Sequence, residues 1–319
     1  MKMIHITHKG CMDGTLCDFI VTKYCKKMGI ELETYLVYPG DNILEIFPEL
    51  SDGLSGNILV MTDIVFSNDN MKALSKPFPE MVVIDHHKTA REGVKGINTR
   101  SCYIDETHCA SVLVWKYFYP FSKTPILLDY VEDRDLWINK LPNSEAVNAA
   151  LREVGDFDKY LWDISPLIIE GDKIIKNKEK AVNDIVGDIS ELPTIEIDGY
   201  IIPCIRLYDD RSILSEIGHK VAKETNGICA LYFLSNEGDK LIFSLRSTEV
   251  DVSEIAKKYS GGGHKNAAGF SFDLDDNDID ILSILKVLKY KEYHKGTTLM
   301  LYSFFFANNR TYFKHLLFK

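Results

Sequence analysis

The chain has 319 residues, 45% of them hydrophobic, and 37 basic against 47 acidic side chains give a formal charge of −10. This length exceeds the usual single domain, so two domains of ordinary globular composition are expected. The negative charge excludes the phosphate-attracting surface of a long-duplex binder, although metal ions and a local basic patch can still hold a short nucleotide.

Met1–Thr7 is a short apolar-rich strand that runs into His8-Lys9-Gly10-Cys11-Met12-Asp13-Gly14. Thr15–Met28 carries Leu16, Phe19, Ile20 and Tyr24 at helical spacings, and Gly29 is a plausible stop. Glu31–Val37 reads as a strand and Asp41–Leu50 as a short helix before the turn Ser51–Gly53. A strand over Asn57–Met61 ends in Thr62-Asp63, and a helical piece around Asn68–Ser75 is broken by Pro77 and Pro79. Val82-Val83-Ile84 reads as a buried strand that runs straight into Asp85-His86-His87. Strand and helix alternate here, which predicts a parallel sheet with right-handed crossovers.

Asp105–Tyr119 reads as a capped amphipathic helix, mostly core, whose start brings His108 and Ser111 near the same end of the sheet. The apolar segment Ile126–Val131 leads into Glu132-Asp133-Arg134-Asp135-Leu136-Trp137, and Pro142–Lys180 is mostly helical. From Tyr200 the pattern changes. A strand over Ile201–Ile205 precedes a helix over Ser212–Thr225 and a hairpin, Ile228–Leu234 with Lys240–Leu245, around Asn236–Asp239. A helix over Val252–Tyr259 enters a glycine run, and Gly269–Phe272 is a final strand. Asp273–Asp280 reads as a solvated acidic turn in preference to a calcium loop. The aromatic tail, residues 291–319, reads by default as core packing; an added strand pair, a homodimer contact and a membrane-surface patch stay open.

Seven cysteines without a CxxC or a paired framework read as free thiols in a reducing compartment. With no secretory leader and no apolar run of about 20 residues, a cytoplasmic protein that avoids membranes is expected.

An isolated His-His pair is ordinarily one core imidazole bonded to a neighbour and one solvated. Here imidazole and carboxylate recur after four apolar segments, at His8, at Asp63, at Asp85-His86-His87 and at Glu132-Asp133. Ligands of open α/β sheets sit beyond the carboxyl ends of the strands. Carboxylates that bridge two divalent ions, with imidazoles completing each shell, are what a two-metal hydrolytic site requires.

This set resembles the DHH phosphoesterase superfamily, named for its Asp-His-His triplet. The downstream run Ser260-Gly261-Gly262-Gly263-His264-Lys265-Asn266-Ala267-Ala268-Gly269-Phe270 is similar to the signature of its DHHA1 substrate-binding domain. The resemblance spans roughly residues 1–290, with both signatures in the family's order. It implies an α/β, parallel-sheet DHH domain over 1–185, a linker over 186–198 and a smaller α+β DHHA1-like domain over 199–319. Members with both halves include nanoRNases, single-strand DNA exonucleases and cyclic-dinucleotide phosphodiesterases.

Carried residue by residue, the resemblance implies metal ligands at His8, Asp13, Asp63, His86 and Asp133, with Asp63 and Asp133 shared. Asp135 is the weaker acid, because the family motif places the ligand at the first. His87 would contact the scissile phosphate, and Asp85 would orient a ligand imidazole. Two divalent ions, expected to be Mn²⁺ and about 3.5–4 Å apart, would activate the attacking water. In the second half, Gly261, Gly262 and Gly263 would let backbone N–H groups approach an anion, with His264 and Arg246 as further phosphate contacts.

The chain departs from the family in its first motif. The usual form is His, three residues, Asp, one residue, Asp; here two residues separate His8 from Cys11, and one separates Cys11 from Asp13. In this the chain resembles a subgroup with HxxCxDG loops. A sulfur in that place is either a ligand or an inert buried thiol, and the first reading is preferred. The expected activity is hydrolysis of short oligonucleotides or dinucleotides to nucleoside monophosphates, as in nanoRNases and exonucleases. The alternatives are a pyrophosphate or polyphosphate hydrolase and a nucleotide-binding sensor without turnover.

Overall fold

The computed structural model describes residues 2–51, 57–207, 211–225 and 227–273. Most of the Ser51–Gly53 turn, the acidic segment after Asp273 and the tail 291–319 lie outside the described residues. The chain divides into two compact units, one ending at Asn177 and one beginning at Lys178.

The first unit is built on five strands: β1 (Lys2–His8), β2 (Glu31–Val37), β3 (Ile58–Thr62), β4 (Met81–Asp85) and β5 (Ser101–Ile104). All pair in parallel, in the order β2-β1-β3-β4-β5. The helices are α1 (Met12–Met28), α2 (Ile43–Ile46), α3 (Asn68–Ser75), α4 (Ala90–Gly93), α5 (Ala110–Phe118), α6 (Ile126–Asp135), α7 (Ser144–Leu151) and α8 (Ser165–Val186), within which the unit ends.

Alternate strand residues feed two cores. Met3, Val60, Val82 and Ile84 join Leu16, Ile20, Leu113 and Leu128 from the helices on one face. Ile4, Ile6, Leu59, Met61 and Val83 join Met71 and Leu74 on the other. Every residue of β4 is buried, as expected of a parallel strand covered on both faces. Each fully buried Leu or Ile contributes roughly 1.5–3 kcal/mol, which makes this strand among the costliest places to introduce a polar residue.

Ile126–Val131, the fourth apolar segment, is the first half of α6, and the strand β5 has no counterpart in the sequence reading. Leu127, Leu128, Tyr130 and Val131 are buried at helical spacing, so an apolar run of this length did not by itself distinguish strand from helix. The edge strand β5, Ser-Cys-Tyr-Ile, has only partly buried and exposed positions and offered little apolar pattern to read.

The second unit holds β6 (Thr194–Ile197), β7 (Tyr200–Arg206), α9 (Leu214–Glu224), β8 (Ile228–Leu234), β9 (Lys240–Ser247), α10 (Val252–Lys258), β10 (Gly262–His264) and β11 (Ala267–Asp273). Its sheet runs β10-β11-β9-β8-β7-β6 and is mixed, with β7 parallel to β8 and the other pairs antiparallel. Within residues 186–198, read as a connector, β6 is hydrogen-bonded to β7. The fold is thus an α/β parallel-sheet unit followed by a smaller α+β unit, as expected. No described helix is long and apolar enough to cross a membrane.

Candidate metal centre

The order β2-β1-β3 places a switch point at β1: the chain leaves it once toward β2 and returns on its other side at β3. Crevices of this kind open at the carboxyl ends of the strands. His8 is the last residue of β1, Asp63 follows β3, and Asp85 ends β4 immediately before His86 and His87. Thr7 and Thr62, one residue before His8 and Asp63, are tied by a 3.0 Å hydroxyl bond. The buried His5 ring lies 2.8 Å from Thr62 Oγ1 and 3.3 Å from Asp18 Oδ1, so the strand ends are cross-braced beneath the site. Sequence reading passed over His5; an imidazole in the middle of an apolar strand was the available signal.

Three sets of ligand atoms gather here, each lying within 4.8 Å of one another: His8, Cys11 and Asp63; Asp63, His86 and His87; Asp13, His86 and Asp135. Asp63 divides its two oxygens between neighbours. Its Oδ2 lies 3.0 Å from Cys11 Sγ and 3.5 Å from His8 Nδ1, whereas its Oδ1 lies 3.4 Å from His86 Nε2. His86 Nε2 is also 3.5 Å from Asp135 Oδ2 and 3.8 Å from Asp13 Oδ2. Ligands about 2.1 Å from one ion stand about 3.0–3.4 Å apart, so much of this spacing suits a shared ion. Asp135 Oδ2 is buried without a hydrogen-bond partner among the described residues, a second sign that a cation fits the cluster.

The local backbone is shaped to this end. Asp63 adopts a left-handed conformation, φ 58°, which Asp and Asn tolerate better than most residues. Gly14 is required by contact: a Cβ there would meet His8 O at 2.2 Å and Asp63 Oδ2 at 3.1 Å. Cys11 caps α1, its sulfur accepting the Gly14 N–H at 3.1 Å. Asp13 accepts the N–H groups of Ala110 (2.7 Å) and Ser111 (2.8 Å), and Glu132 accepts that of Cys109 (3.0 Å). Carboxylates from elsewhere therefore cap α5 in place of a side chain of its own. His108 lies between Glu132 (3.0 Å) and Lys116 (2.8 Å).

Burial pushes Asp13 up to about 7, with the charges of Asp63 and Asp135 adding to the effect. Burial raises Asp135 as well. At Asp63 burial acts the same way, but bonds from His8, His86 and Cys11 outweigh it and hold the carboxyl at about 2. Burial opposes charge on His86, yet the Asp63 bond and the nearby Asp13 and Asp135 carry it to about 9. The cluster is an excess of buried carboxylate that attracts positive charge.

Two residues are placed otherwise than expected. Asp133, expected as a shared ligand, is not in any of these sets; its Oδ1 accepts the N–H groups of Lys140 (2.8 Å) and Leu141 (3.2 Å). Asp135 takes the place in the cluster. Two residues along a helix turn the side chain by about 200°, so only one of the two acids can face the site. Asp85 does not bond a ligand imidazole of His86: its Oδ1 accepts the backbone N–H of His86 (2.6 Å) and of His87 (2.8 Å), and lies 2.8 Å from His87 Nδ1.

Cys11 lies in the first set, its sulfur 3.2 Å from His8 Nδ1, and burial followed by the Asp63 charge pushes the thiol well up. A bound cation would have to displace that proton, and a thiolate favours softer ions over Mn²⁺. Cys11→Ser should weaken Zn²⁺ binding more than Mn²⁺ binding in calorimetric titrations, whereas Cys25→Ser, buried against Met3, should change neither. Equal Zn²⁺ affinity in Cys11→Ser and wild type would remove the sulfur from the ligand set.

In the second unit, Arg246 on β9 borders an open depression of about 520 Å³ together with Ser260, Gly261, Gly262 and Gly269. Its Nη1 donates to Ser244 Oγ (2.8 Å) and Leu245 O (2.9 Å), and its Nη2 to Ser215 Oγ (3.1 Å), so neighbours hold the fork in place. The glycine run is not a free loop: Gly262–His264 form β10, paired with β11. A Cβ at Gly261 would meet Gly269 O at 2.1 Å and one at Gly263 would meet Ala267 O at 2.5 Å, while Gly262 faces open space. Two of the three glycines thus serve backbone packing. His264 is exposed.

Residues 200–289 match the model of the DHHA1 domain. The chain is 25% identical over 282 residues to an uncharacterized protein of Acanthamoeba polyphaga mimivirus, covering 83% of this chain and 66% of that one. It is 24% identical over 220 residues to a membrane protein–large ribosomal subunit bL9 fusion protein of Aster yellows witches'-broom phytoplasma (strain AYWB), covering 68% of this chain and 25% of that one. The chain thus spans less than two thirds of the length of these relatives. Similar solved structures include a pGpG-specific phosphodiesterase of Vibrio cholerae, at 12% identity and a TM-score of 0.43, covering 89% of this chain and 97% of that one. RecJ of Thermus thermophilus, in complex with Mn²⁺, is similar at 13% identity and a TM-score of 0.40, covering 88% of this chain and 51% of that one.

Proposed function

We propose that this member of the DHH/DHHA1 phosphoesterase superfamily is a cytoplasmic, metal-dependent phosphodiesterase that cleaves short oligonucleotides or dinucleotides to nucleoside monophosphates. The observation that carries the reading is the division of the Asp63 carboxylate, Oδ2 toward His8 and Cys11 and Oδ1 toward His86.

His8, Cys11 and Asp63 would hold one divalent ion; Asp63, His86, Asp13 and Asp135 would hold the second, with Mn²⁺ the expected metal. Such ions, when bound, neutralise phosphate charge and acidify water. The chain's own groups do the positioning. Asp85 fixes the His87 ring through Nδ1 and favours its charged form, leaving Nε2–H as a donor for a non-bridging phosphate oxygen. Arg246 and the open backbone at Gly262 are the contacts assigned to the nucleotide's terminal phosphate, with the exposed His264 a third.

A panel of di- to decanucleotides, cyclic dinucleotides and polyphosphate with Mn²⁺ tests the reading. Rates should fall as the oligonucleotide lengthens, and Arg246→Ala should raise KM for the dinucleotide. Equal processing of a long single strand, insensitive to Arg246→Ala, would refute the length preference. Turnover of polyphosphate alone would replace the nucleotide substrate, and tight binding without turnover would make the protein a sensor.

A further inference from the structure

The loop after α6 displays an aromatic ring two residues beyond Asp135, a member of the candidate centre. Trp137 is 75% exposed and adopts a left-handed backbone, φ 57°, and Asn139 does the same at φ 50°. Non-glycine residues occupy this region at a cost, and such strain persists only where the surroundings over-determine it. Here they do. Trp137 N–H donates to Arg134 O at 3.2 Å and Asn139 N–H to Asp133 O at 3.0 Å, while the buried Asp133 carboxylate holds Lys140 and Leu141. The Arg134 guanidinium lies 5.1 Å from the indole centroid, and its Nη1 is 3.5 Å from Asn139 Oδ1.

The ring is therefore held out in water on a braced loop, two residues from Asp135, whose Oδ2 is 3.5 Å from His86 Nε2. Arg134 precedes Asp135 by one residue and Trp137 follows it by two, so the cation–ring pair brackets the acid along the chain. Tyr38, 51% exposed after β2 with Lys9 Nζ 5.4 Å from its ring, borders the His8–Cys11 loop at Gly10; Phe121 follows the end of α5 opposite the one that Asp13 caps, and Trp162 lies edge-on to Trp115.

We propose that Trp137, backed by Arg134, is a stacking platform for the heteroaromatic base of a nucleotide whose phosphodiester lies at the Asp63, His86 and Asp135 cluster. The inference rests on the phosphodiesterase reading and deepens it, because it selects substrates that carry a base over inorganic polyphosphate. Base–aromatic stacking is sequence-tolerant, so the platform takes any base.

The test uses the full chain with Mn²⁺ and three probes: pApA, AMP and tripolyphosphate. Trp137→Ala should raise KM for pApA and Kd for AMP by about 5- to 150-fold, the range of base stacking, with the effect on KM rather than kcat. Tripolyphosphate binding should be the same in both proteins. Trp137→Phe should recover most of the loss, and AMP should quench wild-type fluorescence in a way that Trp137→Ala abolishes. Unchanged KM and Kd in Trp137→Ala would overturn the platform, as would an equal loss of Mn²⁺ affinity, which marks a structural role. If wild type cleaves pApA and Trp137→Ala does so equally well, the platform fails and the phosphodiesterase stands. AMP binding that depends on Trp137 without turnover would keep the platform and end the phosphodiesterase reading.

Discussion

Asp63→Asn should lower turnover of a dinucleotide by at least about a thousandfold, the rate equivalent of several kcal/mol lost from charge stabilisation at both ions. Asn is the informative replacement. It tolerates the left-handed backbone that Asp63 adopts at φ 58°, so the loop keeps its shape while the shared negative charge disappears. Titration of the metal-free variant with Mn²⁺ should show both binding events weakened, because one Asp63 oxygen faces His8 and Cys11 and the other faces His86. Retention of more than about a tenth of wild-type turnover would rule out the bridging carboxylate.

The second large effect separates the two acids of Asp133-Arg134-Asp135. Asp135→Asn should cut turnover about a hundredfold or more and leave the melting temperature nearly unchanged, since Asp135 Oδ2 has no hydrogen-bond partner among the described residues to lose. Asp133→Ala should instead destabilise the fold. Asp133 is only 3% exposed and accepts two partly buried backbone N–H groups through Oδ1, so its removal takes a charged partner from both donors at about 3 kcal/mol. For a unit of this size that is a fall of roughly 6–12 °C. Thermal denaturation and steady-state rates on the two variants decide it. The opposite pattern, Asp133 controlling turnover and Asp135 silent, would return the ligand role to the first acid.

What was legible in the sequence was local. The strands β1, β3 and β4 announce themselves because β-branched and apolar runs end abruptly in His, Asp and Asp-His-His, and a covered parallel strand needs no polar alternation. Parallel strands in one sheet carry their C-terminal residues to a common edge, so the nearness of His8, Asp63 and His86 followed from chain chemistry plus topology. The arrangement of the second unit into a hairpin and a glycine-bearing segment was readable for the same reason: turn residues and period-two apolar runs are short-range signals.

Rotation and packing decided the rest. Which acid of Asp133 and Asp135 enters the cluster depends on the angle of α6 about its axis, and that angle is set by burying Leu127, Leu128 and Val131 in the shared core. The pairing of Cys11 with Asp63 joins residues 52 apart in the chain, and no spacing within HxxCxDG encodes it. Gly261 and Gly263 look like anion-binding glycines in sequence, but the close approach of β11 claims them, leaving Gly262 open. Trp137 is the same lesson in reverse. Sequence places an indole two residues after an acid; only the left-handed loop, braced by Asp133, holds that indole out in solvent. Chain-local physics determined which residues could do chemistry, and the angles at which helices and strands pack determined which of them meet.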